Sequence, residues 1–180
     1  MTNPMNTPLL LLMAGLPGSG KSTVALGVGR EMGWPVLDKD TVKSTLLMLG
    51  ADEDLAAVAS YRLLDELARD IVVEQGLSVI VDSPSSYEEA IDAAESITKE
   101  AGGVLQIVLC EASRSTRALR LATRERRISH VTTIDDEAEL AIELRFERLP
   151  AGTIRLSTEG APDDIVREIV SLLQATMPRA

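Results

Sequence analysis

Residues 15–23 read Gly15-Leu16-Pro17-Gly18-Ser19-Gly20-Lys21-Ser22-Thr23, and this stretch decides the fold. It matches the pattern G-x-x-x-x-G-K-[ST] and directly follows the apolar run Leu9–Ala14. A buried strand that leads into a glycine-rich turn and then a helix is the context that a phosphate-binding loop requires. A simple turn that joins a strand to a helix is the alternative, but all the fixed positions and both flanks agree with phosphate binding. The stretch therefore predicts that the protein binds a nucleoside triphosphate.

Each part of this phosphate loop has an expected role. Its backbone N–H groups turn inward around phosphate oxygens, and the following helix presents its positive N-terminal end to the same anion. Lys21 is expected to reach the β- and γ-phosphates, and the hydroxyl of Ser22 to ligate Mg²⁺. The residues predicted to contact the nucleotide here are Gly15, Pro17, Gly18, Ser19, Gly20, Lys21, Ser22 and Thr23.

Length and composition predict one domain over residues 1–180. Hydrophobic residues make up 45% of the chain and charged residues 26%, as in ordinary globular proteins. A net charge of −10 disfavours non-specific binding to nucleic acid or to an anionic membrane. The single cysteine, Cys110, ends an apolar run and is expected in the core, which fits a reducing compartment.

The N-terminal residues predict no targeting segment. Residues 1–7 are polar, lack a basic region and are expected to form a loose tail. The apolar run after them is too short to span a membrane and leads into the phosphate loop rather than into a cleavage site. We therefore expect a cytoplasmic protein without a membrane partner.

Short apolar runs alternate with longer helical patterns along the chain, which predicts an α/β fold with a parallel sheet. The expected strands are Leu9–Ala14, Trp34–Asp38, Leu77–Asp82, Val104–Cys110 and Thr153–Leu156. Helices are expected between them and after the last strand. Gly27 and Gly29 are poor residues for a helix interior, so another element is expected to approach the first helix closely at that point.

Asp38-Lys39-Asp40 ends the second predicted strand and is a candidate for chemistry. Ligands of open parallel sheets bind at the carboxyl ends of the strands, so both carboxylates should face the phosphate loop. One carboxylate can support Mg²⁺ while the other accepts a proton from an attacking hydroxyl. The alternative role for Asp40 is the N-cap of the next helix. Lys43, one turn on, is expected either to contact the substrate or to be a solvated helix lysine.

Asp82 closes the third apolar strand in the manner of a Walker B carboxylate, which orients the ligands around Mg²⁺. The alternative is an aspartate that begins the turn Ser83-Pro84. With the residues above, this gives Ser22, Asp38 and Asp82 as the predicted metal site. No grouping of Cys or His residues in the sequence suggests a metal other than Mg²⁺.

Residues 113–127 predict a helix rich in arginine. Four of its arginines are three, four and three residues apart, on one helix face: Arg117, Arg120, Arg124 and Arg127. A triphosphate would relieve the repulsion among them, because the planar guanidinium fits phosphate. A solvated face neutralised by Glu125 and by the acidic Asp135-Asp136-Glu137 is one alternative. A nucleic-acid patch is another, but it lacks the interleaved aromatic residues that base stacking uses.

In their order along the chain, these motifs resemble the nucleoside monophosphate kinase-like branch of P-loop kinases. That branch includes shikimate and gluconate kinases, polynucleotide 5′-kinases, chloramphenicol phosphotransferase and zeta-type toxins. The resemblance extends over nearly the whole chain, although only the phosphate loop is specific by itself. It implies a three-layer fold with a five-stranded parallel sheet in the order 2-3-1-4-5 and an arginine-rich helical lid over residues 114–133.

The resemblance also implies roles for individual residues. Asp38 would support Mg²⁺, and Asp40 would contact the substrate hydroxyl as the base. Arg120 would lie against the adenine and Arg124 would reach the phosphates. The loop Ser157–Pro162 would line the adenine, which makes Pro162 a predicted nucleotide contact. The predicted substrate-binding residues are Asp38, Asp40, Lys43 and Asp82.

The sequence departs from the pattern after the third strand. Adenylate kinases have an arginine there for the acceptor phosphate, whereas this chain reads Asp82-Ser83-Pro84-Ser85-Ser86. Lys43 also stands where several relatives have arginine. We therefore expect an ATP- and Mg²⁺-dependent kinase that phosphorylates a hydroxyl of a small molecule, and the departures favour a neutral one. The alternatives are a nucleotide-binding regulator or ATPase without an acceptor, and a polynucleotide 5′-kinase.

Overall fold

The five strands form one parallel sheet in the predicted order. A computed structural model describes residues 7–85, 87–123, 128 and 135–176 of the chain. Within them the strands are β1 (Leu9–Ala14), β2 (Val36–Asp38), β3 (Val79–Asp82), β4 (Val104–Glu111) and β5 (Ile154–Ser157). They lie side by side in the order β2-β3-β1-β4-β5, and every pairing is parallel. The α/β fold class and the strand order are therefore confirmed.

Helices cover both faces of this sheet. They are α1 (Lys21–Met32), α2 (Lys39–Met48), α3 (Glu53–Arg69), α4 (Glu88–Ala101), α5 (Arg114–Thr123), α6 (Asp136–Phe146) and α7 (Pro162–Thr176). A π-helical turn, Asp70–Glu74, continues α3. No described helix combines the length and the apolar character that a membrane span needs. Residues 1–6 of the predicted tail lie outside the described part of the chain.

The central strand β1 explains why the sheet has two cores. Every residue of β1 is buried, and its side chains alternate between the two faces. Leu10 and Leu12 pack with residues of α3 and α4 on one face, and Leu11 and Met13 pack with α1 and α7 on the other. A continuous apolar run is thus the pattern that a strand buried on both faces requires.

A close helix contact occurs where the glycines of α1 predict one. A Cβ atom on Gly27 would lie 2.4 Å from Cγ2 of Val166 in α7, and one on Gly29 would lie 2.7 Å from Cγ2 of Val36. Neither position has room for a side chain, because α7 and β2 approach the backbone of α1 directly. This packing fixes α1, and with it the end of the phosphate loop.

The chain around β2 differs from the sequence prediction. β2 is shorter than predicted, and α2 begins at Lys39, directly after the strand. The N-cap is Asp38, whose carboxylate oxygens accept hydrogen bonds from the backbone N of Asp40 (2.9 Å) and from Oγ1 of Thr41 (2.6 Å). The interpretation of Asp40 as the N-cap is therefore wrong. A carboxylate two residues earlier already accepts a hydrogen bond from one of the free N–H groups in the first turn of the helix.

Strand register brings the candidate carboxylates to one edge of the sheet. Asp38 at the end of β2 is paired with Asp82 at the end of β3, and Asp82 is paired with Met13 at the end of β1. The phosphate loop leaves β1 one residue later. All three strands therefore deliver their C-terminal residues to the same place.

Candidate active site

One cavity of about 450 Å³ opens at this edge of the sheet. It gathers most of the residues that the sequence indicates: Pro17, Gly18, Gly20, Lys21, Ser22, Thr23, Asp38, Asp40, Lys43, Asp82, Arg120 and Pro162. They come from the phosphate loop, the starts of α1 and α2, the end of β3, the arginine-rich α5 and the start of α7. Residues distant in sequence thus share one space.

Gly15 and Ser19 lie behind the cavity wall instead of lining it. The carbonyl of Gly15 accepts a hydrogen bond from Nζ of Lys21 (2.8 Å), and the carbonyl of Leu16 accepts a second (3.1 Å). The side chain of Ser19 is only 1% exposed. These residues shape the loop, and the lysine is held over it by carbonyl oxygens.

The arginine-rich helix packs directly against the phosphate loop. A Cβ atom on Gly18, whose φ is +79°, would lie 2.7 Å from the carbonyl oxygen of Arg117 in α5. Only glycine fits here, because the left-handed backbone and the close approach of α5 both exclude a side chain. Arg120, one turn further along α5, donates to the carbonyl of Gly18 (3.3 Å).

Thr158, just after β5, joins the phosphate loop to β4 and α5 through hydrogen bonds of its side chain. Its hydroxyl lies 2.7 Å from the carbonyl oxygen of Ser19 and 3.1 Å from that of Glu111, and it accepts a hydrogen bond from Arg120 (3.2 Å). Arg120 also donates to the carbonyl of Thr158 (2.6 Å). Thr158 is 2% exposed, so these bonds are shielded from water. The phosphate loop, β4, α5 and the loop before α7 meet at this one side chain.

The predicted anion-binding face of α5 is only partly observed. Arg117 turns away from the cavity and pairs with Glu139 of α6, and Arg114 pairs with Asp136. Of the acidic residues in the predicted alternative, Asp136 pairs with Arg114, whereas Arg117 is buried and pairs with Glu139, which lies beyond them. Arg120 lines the cavity, whereas Arg124 and most of the remaining predicted lid lie outside the described residues.

Asp82 is the buried carboxylate of the site. It is 4% exposed, and the hydroxyl-bearing Ser22 at the start of α1 lines the same cavity. Burial raises the pKa of Asp82 above its usual value, while Lys21 and the Ser22 hydroxyl act in the opposite direction. A buried carboxylate beside a hydroxyl and an ammonium is well suited to a divalent cation, because the cation supplies the missing positive charge.

The oxygen donors fit Mg²⁺ if a nucleotide completes the coordination. Ser22 and Asp82 provide hard oxygen ligands, which Mg²⁺ prefers. Within the described ranges, no three His, Cys, Asp or Glu side chains gather closely enough to hold a metal by themselves. Mg²⁺ commonly binds through one or two carboxylates plus water and phosphate oxygens, so this sparse donor set suits it.

Helix α2 lines the other half of the cavity. Asp40 lies in its first turn and faces the cavity together with Lys39 and Lys43. Lys43 forms an ion pair with Glu53 of α3, with Nζ and Oε2 2.7 Å apart. Nζ of Lys39 lies over the ring of Tyr61 in α3, 5.0 Å from its centroid. The side chains of this half are therefore held by α3 rather than by the phosphate loop.

A family model described as an AAA domain matches residues 10–149. This range includes the phosphate loop, strands β2 and β3 with their terminal aspartates, and α5. The chain belongs to this AAA domain family. A UPF0200 protein of Aeropyrum pernix is 34% identical to it in an alignment of 129 residues, which covers 66% of this chain and 66% of that protein. The chain thus spans about two thirds of the length of that relative.

Solved kinase structures share the fold of this AAA domain. A sugar kinase of Janibacter sp. HTCC2649 is 19% identical, with a TM-score of 0.64 and coverage of 94% of this chain and 96% of that one. The APS kinase of Mycobacterium tuberculosis, in complex with AMPPNP and APS, is 22% identical, with a TM-score of 0.61 and coverage of 95% and 99%. The P-loop kinase fold expected from the motif order is confirmed.

Sequence reasoning missed two groups of residues in this AAA domain. Thr158 was not singled out, because a lone threonine after a short strand carries no motif. Lys39 and Tyr61 were also missed, because their contact joins α2 to α3 and depends on how those helices pack. The position of Lys39 between two candidate carboxylates was the available signal for it.

Proposed function

We propose that this AAA domain is an ATP- and Mg²⁺-dependent phosphotransferase that moves the γ-phosphate to a hydroxyl of a small molecule. One observation carries the proposal: Lys21, Ser22 and Asp82 share a single cavity with Asp40 on a different helix. A cavity of about 450 Å³ extends beyond the phosphate loop to α2, which leaves space for an acceptor next to the transferred group. A regulator that only binds nucleotide has no need for the second half.

The phosphate loop and α5 bind the nucleotide in this proposal. Backbone N–H groups at the start of α1 and the ammonium of Lys21 face the β- and γ-phosphates. Arg120 and the loop that carries Thr158 and Pro162 border the same cavity and contact the remainder of the nucleotide. We retain Arg124 as a proposed phosphate contact on the strength of the family resemblance alone.

Ser22 and Asp82 would hold Mg²⁺, which would neutralise charge that develops on the phosphoryl oxygens. Asp38 would support the ion indirectly, because its carboxylate oxygens already accept hydrogen bonds from the first turn of α2. The cation would give the buried carboxylate of Asp82 a positive neighbour.

Asp40 acts as the base. It accepts the proton of the acceptor hydroxyl while that oxygen attacks the γ-phosphorus. The bond from the γ-phosphorus to the bridging oxygen breaks, and ADP leaves with its electron pair. Catalysis consists mainly of positioning and charge stabilisation, because phosphoryl transfer requires little covalent chemistry from the protein.

The comparisons support this class of reaction. The similar structures are described as a sugar kinase and an APS kinase, the latter with a bound ATP analogue and APS. Both names refer to small-molecule acceptors, which supports a small molecule rather than a polynucleotide as the acceptor here. The buried Cys110, which is 2% exposed, fits the reducing cytoplasm that we propose as the compartment.

The decisive experiment measures transfer of labelled γ-phosphate to a panel of alcohols, with and without Mg²⁺. We expect slow ATP hydrolysis without an acceptor, transfer to at least one alcohol, and loss of transfer when Mg²⁺ is chelated. Asp40→Asn should reduce kcat about 10²- to 10⁴-fold while ATP affinity stays within about twofold, since general bases contribute on that scale.

Asp92→Asn is the matched control, because Asp92 is an exposed residue of α4 far from the cavity in the fold. Rapid ATP hydrolysis that no alcohol stimulates would favour the ATPase alternative. Transfer only to the 5′ end of an oligonucleotide would identify a polynucleotide kinase. Full activity of Asp40→Asn would refute the base assignment.

A further inference from the structure

We propose that Lys39 binds an anionic group of the acceptor, so that the phosphorylated compound is an alcohol that also carries a carboxylate or a phosphate. This inference rests on the proposed function and names its substrate class. It replaces the neutral acceptor that the sequence favours. The observations that carry it are the place of Lys39 in the cavity and the partners that the fold gives to each lysine around it.

Lys39 is the first residue of α2 and lines the cavity beside Asp40. Its ammonium lies over the ring of Tyr61, with Nζ 5.0 Å from the ring centroid. The ring is fixed in turn, because Tyr61 packs edge-on against Tyr87 with centroids 6.3 Å apart. A cation held over an aromatic face keeps its charge and stays in a defined position. Lys39 is therefore positioned on the wall of the acceptor half.

The neighbouring cations have other partners. Lys43 forms its ion pair with Glu53, and Lys21 and Arg120 bind carbonyl oxygens around the phosphate loop, where the triphosphate belongs. Lys39 makes no ion pair with any of the described residues. Its closest aromatic partner is neutral, since burial raises the pKa of Tyr61 and keeps the phenol protonated.

Partial burial makes an anion favourable at this position. Lys39 is half-buried where it lines the cavity, so its ammonium is only partly hydrated. An acceptor anion that contacts Nζ restores the solvation which the ammonium has lost. The same contact places the acceptor next to Asp40, because the two residues are adjacent in the first turn of α2. The residue that binds the anion and the residue that accepts the proton would thus hold the same acceptor molecule.

A different role for Lys39 would be to adjust the charge of Asp40 without touching the acceptor. The two roles give different kinetics. A residue that acts through Asp40 alters kcat for every acceptor equally, whereas an anion-binding residue alters KM for anionic acceptors and leaves neutral ones unchanged.

The test uses matched alcohols that differ in one group: sorbitol, gluconate and sorbitol 6-phosphate, and likewise glycerol, glycerate and glycerol 3-phosphate. Equilibrium binding to the full chain loaded with ADP and Mg²⁺ is measured by calorimetry, and phosphoryl transfer is measured separately. The variants are Lys39→Met, which keeps the apolar stem, and Lys39→Arg, which keeps the charge. Lys99→Met is the control, because Lys99 is exposed at the end of α4.

We expect at least one anionic compound to bind about tenfold more tightly than its neutral partner, and Lys39→Met to remove that preference. Lys39→Arg should retain most of it, since arginine also packs on aromatic rings and binds carboxylate and phosphate. The relative affinities of the carboxylates and the phosphates identify which anion the site takes. Lys99→Met should match the wild-type protein.

Several results would overturn the inference: binding of no anion, equal binding of the neutral partners, or an unchanged preference in Lys39→Met. A uniform fall in kcat with unchanged KM would assign Lys39 to Asp40 instead. Binding readouts keep this inference separate from the proposed function. Anion binding that depends on Lys39 without any transfer would contradict the kinase and leave the anion site standing.

Discussion

The two halves of the cavity are built in different ways. On the phosphate side, which comprises the phosphate loop, α5 and the loop after β5, charged groups are held by main-chain oxygens. Lys21 bonds to the carbonyls of Gly15 and Leu16, and Arg120 bonds to those of Gly18 and Thr158. On the acceptor side, which comprises α2 and α3, Lys39 and Lys43 are held by side chains.

This difference explains which half a sequence motif can describe. Backbone contacts depend on where the glycines stand and on the number of residues between them, so the phosphate side is visible in the sequence as a short motif. Side-chain contacts between helices depend on packing and can change without disturbing the loop. We infer that the phosphate side sets the reaction and the acceptor side sets the substrate. A change on one side should therefore leave the function of the other side unaltered.

Lys21→Met tests the phosphate side where its charge is concentrated. Removal of the ammonium that reaches the β- and γ-phosphates should weaken ATP binding about tenfold and lower transfer at least 100-fold, because the positive charge is needed most in the transition state. Acceptor binding to the ADP-free protein should stay within about twofold. Calorimetry and initial rates measure both, with Lys99→Met as control. A comparable loss of acceptor affinity would contradict the division into halves.

Thr158→Val tests the buried corner of the phosphate side. Valine keeps the shape but leaves the carbonyls of Ser19 and Glu111 and the guanidinium of Arg120 without the hydroxyl. We expect ADP affinity to fall about tenfold, which corresponds to about 1.4 kcal/mol, and acceptor preference to stay unchanged. Thr176→Val is the control, since Thr176 is an exposed residue whose hydroxyl donates to the carbonyl of Leu173 in its own helix. An altered acceptor preference would show that the halves are not independent.

Asp82→Asn tests the boundary between the halves through the pH dependence of stability. The pKa of Asp82 is raised in the folded protein, so ionisation of its carboxyl group opposes folding. The folded state therefore loses stability as the pH rises above about 3.9, the pKa of an aspartate in the unfolded chain. In the absence of ligand, the variant should melt about 2–4 °C above wild type at pH 7, as about 1 kcal/mol does in a chain of this size. The difference should vanish below pH 3.9, where both states are protonated.

Thermal unfolding followed by circular dichroism measures this effect, with Asp92→Asn as the exposed control. The same variant should lose the stabilisation that ATP with Mg²⁺ gives to the wild-type protein. A lower melting temperature at pH 7 would mean that the attraction of Lys21 and the Ser22 hydroxyl for the carboxylate outweighs the cost of burying its charge.

The sequence predicts the sheet well where one signal dominates. The bounds of β1 and α1 agree with the prediction, because an unbroken apolar run and a glycine-rich turn leave no competing interpretation. The prediction is less accurate at β2. The strand begins at Val36 rather than at Trp34, and α2 follows it directly from Lys39. Competition between Asp38 and Asp40 for the helix cap decides that boundary, and the spacing of the two carboxylates does not distinguish them.

The site follows the same rule. The carboxylates and the phosphate loop were predictable, since strand ends of a parallel sheet converge by topology. The roles of the arginines were not, because Arg117 and Arg120 differ by less than one helical turn yet contact Glu139 and Thr158 respectively. Such contacts depend on where α6 and β5 pack. Lys39 escaped notice for the same reason.

The contact between Thr158 and Ser19 joins residues 139 positions apart. A ribosome therefore releases the entire phosphate-loop sequence long before the threonine that braces it has been synthesised. During that interval the nascent chain carries the motif without the hydroxyl that fixes its shape. Nucleotide binding that depends on this hydroxyl is therefore expected only after β5 has been synthesised, and a chain cut short before that strand would contain the phosphate-loop sequence without the Thr158 contact.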